Sequence, residues 1–362
     1  MLRPAYRVTL GDHVVDTTVE PRASTVVELT VRLDMDTPAD SVTIVQGQVG
    51  GLRAAPGDDV SVDLGYSDEA DGPLRVLTGT VVTTEPGIRT ERIVGHCTAD
   101  ALLRTRVDRT FEDTTAGEIV RALAQEAGLD VDRAEDGPQL PAYVVDGRRD
   151  AARHVRDLAA LAGFDTYTTP EGALVFEALT GSRTVHVVKY GEHVLAAEQW
   201  RARPVAGTVV VVGDSPGSSR GDESWAWLTK DVTARQGSAG TGSPTLLLER
   251  AVARSARVAS DAATAAADAL TAASLRVRVR IQGRPQVRLG DLVRLERFPE
   301  RAAVDRLDGN YQVRGVTHRI TKADGLLTDL TLRGLAGAAA AAADAAGGAG
   351  GAGGGLGTGG AP

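Results

Sequence analysis

Through the first hundred residues, apolar and polar side chains alternate. Tyr6-Arg7-Val8-Thr9-Leu10 runs into Gly11-Asp12. Leu29, Val31 and Leu33 share one face opposite Thr30 and Arg32, and Val60, Val62 and Leu64 do the same opposite Ser61 and Asp63. A period of two, broken by Gly, Pro and Asp, predicts short antiparallel strands in a small barrel or sandwich. At Asp108 the period changes. Thr115 and Glu118 have capping-box spacing, and Ile119, Val120, Leu123 and Ala127 recur as on a helix that Gly128 would end. A second helix is expected from an Asp150 cap to Gly163. The sequences Ala127-Gly128-Leu129 and Ala162-Gly163-Phe164 suggest a shared Schellman-type ending. A hairpin around Pro170-Glu171-Gly172 would complete a compact α/β insertion.

Strand patterns return at Val185–Val188 and Gly207–Val212, and Ser224–Leu228 also reads as a strand. Leu246 to Ala273, free of Gly and Pro, predicts one long Ala-rich helix. In the strand that follows, Arg276, Arg278 and Arg280 form a one-sided basic row. Such a row is either a solvated face or a contact for an acidic neighbour.

Two distant stretches echo each other. Gly57-Asp58-Asp59-Val60 and Gly290-Asp291-Leu292-Val293 each read as a turn feeding a strand. Each is followed by a strand around a glycine, Gly79 in one case and Gly315 in the other. A third strand then begins near Thr90 and Thr328. One β module therefore occurs twice. The expected fold is α+β and predominantly β, with two related small β-barrels. The expected divisions are 1–106 (first barrel), 107–180 (α/β insertion), 181–335 (second barrel with the helix 246–273) and a flexible Ala/Gly tail over 336–362.

Composition narrows the chemistry. Aromatic residues are only 4% of the 362, so Val, Leu, Ala and Ile must build the cores. A formal charge of -8 argues against a nucleic-acid binder. The single cysteine, Cys97, excludes an intramolecular disulfide and a Cys cluster, and its strand position suggests a buried apolar residue. The six histidines show no metal-ligand spacing. Neither a signal peptide nor a membrane span is legible, so synthesis and assembly in the cytoplasm are expected. Gly213-Asp214-Ser215-Pro216-Gly217 matches Gly-x-Ser-x-Gly, but Pro216 and the glycines forbid the helix that a nucleophile elbow needs. Gly237 to Ser243 lacks the Gly-Lys ending of a phosphate loop and reads as linker. Asp58 and its neighbour Asp59 suit turn bonding better than acid–base work.

The order of these features resembles a family. It runs through Gly57-Asp58-Asp59-Val60, Thr110 to Val120, Ala127-Gly128-Leu129, the Ala-rich helix, Gly290-Asp291-Leu292-Val293 and Gly309 to His318. Together these resemble the baseplate hub proteins of contractile phage tails, the late control protein D family. The hub half of type VI secretion VgrG spikes is similar. The resemblance implies a non-enzymatic homotrimer whose paired modules make a pseudo-six-fold ring. That ring would join a hexameric inner tube protein to a trimeric spike among other baseplate components. No cofactor is implied, nor contact with nucleic acid or insertion into a membrane. Because the chain ends in the Ala/Gly tail, the spike is expected to be a separate protein. A serine hydrolase using Ser215, or a cargo protein carried by such a machine, are the alternatives.

Overall fold

A computed structural model describes residues 3–20, 24–69, 72–179, 183–214, 235–299 and 307–335. Seven strands open the chain: β1 (Pro4–Leu10), β2 (His13–Asp16), β3 (Val26–Asp34), β4 (Ser41–Gly47), β5 (Asp59–Tyr66), β6 (Leu74–Pro86) and β7 (Thr90–Cys97). Their alternation is realised as expected. Val60, Val62 and Leu64 are buried while Ser61 and Asp63 stay half-buried.

The insertion holds α1 (Asp100–Arg104), β8 (Arg109–Thr115), α2 (Ala116–Glu126), β9 (Val131–Ala134), β10 (Gln139–Val145), α3 (Ala151–Ala162), β11 (Asp165–Thr168) and β12 (Leu174–Glu177). The Thr115–Glu118 capping box forms, and the Asp150 side chain caps α3. Leu129 N–H donates to the Ala124 carbonyl and Phe164 N–H to that of Ala159. Both are the long bond of a Schellman ending, with Gly128 and Gly163 at positive φ.

The remainder comprises β13 (Val185–Lys189), β14 (Val194–Arg201), β15 (Thr208–Val212), β16 (Gln236–Gly240), β17 (Thr245–Glu249), α4 (Ala256–Ala273), β18 (Leu275–Gln282), β19 (Leu292–Glu296), β20 (Gly309–Thr321) and β21 (Gly325–Gly334). Two expectations change here. The helix expected over 246–273 starts only at Ala256, where the Ser255 side chain accepts from the Val258 N–H. Leu246–Leu248 instead pair in parallel with Val209–Val211, a partner that helix propensity cannot register. The stretch read as linker from Gly237 includes β16, pressed on α4. A Cβ at Gly237 would lie 2.2 Å from the Ser260 nitrogen, so the glycine serves close approach. Ser215, Gly217, the strand expected over Ser224–Leu228 and the Ala/Gly tail lie outside the described residues.

Among the described residues, one sheet of thirteen strands carries both β modules. They meet where β20 pairs antiparallel with β3, so they share one sheet and one core, containing Leu29 and Ile44 as well as Val279 and Leu330. A second core joins the insertion to β15 and α4, through Leu158, Phe176, Val209, Val258 and Ala263. β15 and α4, within the range 181–335 expected for the second barrel, therefore share this core with the insertion.

Candidate assembly surface

The two modules match pair by pair. One runs β3-β4-β7-β6-β5, the other β14-β18-β21-β20-β19. Asp59 opposes Thr80 as Leu292 opposes Gln312. Gly79 opposes Cys97 as Tyr311 opposes Gly334. Val82 is skipped in the β6–β7 register and Arg314 in the β20–β21 register. Val27 and Leu195 are likewise the skipped residues of β3 and β14. Bulges bend a strand and fix its register, and these two recur at matching places, whereas the further shift at Val76 between β5 and β6 has no counterpart between β19 and β20. The flanks differ, since β1 joins β5 antiparallel and β13 joins β19 parallel.

The Gly-Asp turns have the same wiring. Asp58 N–H donates to the Ala55 carbonyl at 3.1 Å, and Asp291 N–H to that of Arg288 at 3.3 Å. In each turn the Asp carboxylate accepts the N–H of the residue three before it, at 2.8 Å for Ala55 and 2.9 Å for Arg288. Gly57 and Gly290 occupy the third turn position with φ of 101° and 82°, which glycine adopts without strain. The turn then clasps the neighbouring strand. Gly57 N–H donates to the Val81 carbonyl and Val81 N–H to that of Asp58; Gly290, Val313 and Asp291 repeat both bonds. The second turn has a further partner, His186, whose Nε2 lies 2.9 Å from the Asp291 carboxylate.

The remaining motif glycine behaves differently. Gly315 is no turn residue; it sits inside β20 directly after the bulge. Nor is it the counterpart of Gly79. By register Gly79 matches Tyr311 and Gly315 matches Thr83. Local sequence likeness aligned the right strands and the wrong glycines.

Arg276, Arg278 and Arg280 lie exposed on one face of β18, with Val277, Val279 and Ile281 fully buried beneath. Their surroundings are unequal. Arg280 forms a two-bond pair with Asp329 at 2.7 and 2.9 Å, whose hydrogen bond raises the guanidinium pKa. The Arg278 guanidinium carbon sits 5.4 Å from the ring centre of half-exposed Trp200. Arg276 stands between Trp200 on β14 and Arg333 on β21.

Buried polar groups lock the three regions together, and no sequence pattern announced them. Arg314, the bulge residue of β20, is 8% exposed and pairs with Asp165 of β11 and with Asp36 after β3, the latter at 2.6 Å. Burial opposes its charge, but the two carboxylates outweigh it and raise its pKa. Gln312 and Arg333 also reach Asp165, the latter at 3.8 Å. Asp40 is buried where the first module meets the insertion. It accepts the Asp34 N–H at 2.7 Å and lies 3.3 Å from Thr168 Oγ1, and burial pushes its carboxyl up to about 7. His318, fully buried, contacts Thr328 Oγ1 at 2.9 Å, and burial brings its imidazole down to about 4. Cys97 is buried and its thiol is raised to about 11 by the same cause, which leaves little thiolate to react. Among the described residues no group of three His, Cys, Asp or Glu is arranged for a metal ion, and no helix is long and apolar enough to cross a membrane.

No protein-family model matches the chain, and no curated protein matches it in sequence. Solved structures do match in fold. The 43 kDa tail protein of prophage MuSo2 from Shewanella oneidensis superposes with a TM-score of 0.69 at 14% identity, over 91% of this chain and 98% of that one. The tail protein of Neisseria meningitidis MC58 gives 0.66 at 14%, over 93% and 99%. An Escherichia coli type VI secretion component, described as similar to the T4 tail proteins gp27 and gp5, gives 0.53 at 13%, over 88% and 77%. The chain shares its fold with these phage tail and type VI secretion proteins over 88–93% of its length.

Proposed function

We propose that this protein is a structural hub of a phage tail or contractile injection apparatus. In this reading it forms a homotrimeric ring that seats a hexameric inner tube on one side and a separate trimeric spike on the other. The observation that carries the reading is the duplicated module. Two ladders share strand order, two bulge positions and the Gly-Asp clasp within one chain. Three such chains present six near-equivalent modules, and a ring that is three-fold by chain and six-fold by module can meet partners of both symmetries. The fold shared with tail proteins over nearly their whole length supports the same reading. The work done is mechanical. A continuous sheet with one core resists shear between the modules, and the buried Arg314–Asp165–Asp36 contacts keep the insertion from swinging. The exposed basic row on β18 supplies charge for an acidic neighbour, and it would set orientation and association rate more than affinity.

Light scattering on the eluting peak of a size-exclusion column tests this directly. The expected mass is about 113 kDa, three times the 37.6 kDa chain. A species that stays at the single-chain mass at every concentration, and also with tube or spike protein added, would end the proposal.

A further inference from the structure

Both modules end in the same tip, and the fold buries one of the two. In the first module the β4–β7 ladder closes with Gly47 opposite Thr90, and Gln48 N–H then donates to the Arg89 carbonyl at 3.3 Å. In the second, the β18–β21 ladder closes with Gln282 opposite Leu327, and Gly283 N–H donates to the Leu326 carbonyl at 2.9 Å. One residue further out, Val49 matches Arg284 and Ile88 matches Gly325.

The second tip rests on the first module. Gly283 and Leu326 are buried, and the Gly283 carbonyl accepts the Tyr66 O–H at 3.2 Å, at the end of β5. A Cβ at Gly325 would lie 3.3 Å from Pro4, the residue of β1 that pairs with Tyr66. The first tip stands in solvent instead. Gln48 and Arg89 are exposed, Val49 is 91% exposed and Ile88 97%. The seat that Tyr66 and Pro4 provide also has a counterpart. β19 matches β5, and β13 flanks it with Lys189 opposite Glu296, as β1 flanks β5 with Pro4 opposite Tyr66. The next residue, Tyr190, packs on Phe298 with ring centres 5.3 Å apart, yet stays 49% exposed.

We propose that the tip carrying Val49 and Ile88 seats on the Tyr190–Phe298 end of β19 in a second copy of this chain. The contact that Gly283 and Gly325 make with Tyr66 and Pro4 inside one chain would thus recur between chains. This rests on the ring reading above and names the surfaces that would close the ring.

Three observations favour a copy of the chain as occupant. First, the fold already seats one such tip on the end of one such ladder, so compatible shapes exist within it. Second, both surfaces are apolar. One exposed aliphatic side chain is ordinary, but Val49 and Ile88 share a tip, and a half-exposed tyrosine on a buried ring suits the centre of an interface. Third, each chain carries one exposed tip and one exposed seat. Every added copy fills one and presents another until rotation closes the ring.

The full chain tests this by charge and by crosslink. Ile88→Asp alters a side chain that the fold leaves in solvent, so the variant should fold but fail to assemble. Its mass by light scattering should drop threefold, from about 113 kDa to 37.6 kDa. Val49→Asp repeats the measurement if that variant misfolds. Ile88→Cys with Tyr190→Cys, treated with a short bis-maleimide, should give a covalent ladder ending at three chains, and buried Cys97 is a poor competitor. Ile88→Cys with Val144→Cys, exposed on the insertion, is the control and should give none. A ladder above the control supports the seat, even where one charge fails to split the trimer. Dissociation by Ile88→Asp without that ladder overturns the seat, because the tip then meets another surface. A parent trimer that survives Ile88→Asp and gives no ladder above the control overturns the tip and leaves the ring standing. A parent that stays at the single-chain mass with tube or spike protein added, and gives no ladder, removes the ring reading and this contact with it.

Discussion

Arg314 shows how much one side chain can be asked to hold. It occupies a position where an extra residue enters β20, and it spends that residue on two carboxylates from other regions of the chain. Removing one partner of a buried ion pair leaves the other charge uncompensated. Arg314→Ala is therefore expected to lower unfolding stability by about 3 kcal/mol. Chemical denaturation reads this, and a loss below about 1 kcal/mol would mean that water already satisfies Asp165. Asp40 and His318 make a second, opposed pair of effects. The Asp40 carboxyl is raised from 3.8 to about 7, so its contribution is fully present below about pH 4 and is lost as pH rises to 7. His318 is lowered from 6.5 to about 4, so its contribution is present above pH 6.5 and is lost as pH falls to 4. Between pH 4 and 6.5 the two slopes, each about 1.4 kcal/mol per pH unit at most, offset one another. Relative to the parent chain, Asp40→Asn should gain stability steadily from pH 4 to 7. His318→Gln should gain most at low pH. Urea titrations across that range decide it, and variant curves parallel to the parent would show that neither group titrates as burial implies.

At the scale of elements, the Gly-Asp turn is the unit that recurs intact, and its two glycines sit in different surroundings. A Cβ at Gly57 would meet nothing within 4 Å, whereas one at Gly290 would lie 3.0 Å from the Tyr167 hydroxyl of the insertion. Both need positive φ. Gly57→Ala should therefore cost about 1 kcal/mol from backbone strain, and Gly290→Ala measurably more, because it also pushes on Tyr167. Equal melting-temperature losses for the two variants would count against this reading of the second turn. The alternating strands, the capping box at Thr115 and the Gly128 and Gly163 endings were all legible in the sequence. Each depends on residues a few positions apart, where sterics and local hydrogen bonds decide. The helix expected from Leu246 failed for the converse reason. Leu246–Leu248 have helical neighbours in sequence, but their pairing partners Val209–Val211 lie far upstream.

For the whole molecule, the central fact is one sheet carrying two modules, with the insertion and α4 sharing a second core. The sequence anticipated two small barrels, and the molecule joins them along β3 and β20. If the proposed ring forms, its mass should be about 113 kDa, three times that of the chain.

The sequence alone established the class of the fold, the duplication and the chemistry of the Gly-Asp turns. Alternation, caps and turn residues act through neighbours along the chain. Tertiary structure alone decided that Gly315 follows a bulge and does not match Gly79, that Arg314 clamps three regions, and that β16 and β17 attach α4 to the insertion. Those outcomes depend on hydrogen bonds and charges between residues as many as 278 positions apart. At such separations pairing follows the register of whole strands, and the bulges at Val82 and Arg314 that set this register leave no mark in composition or periodicity.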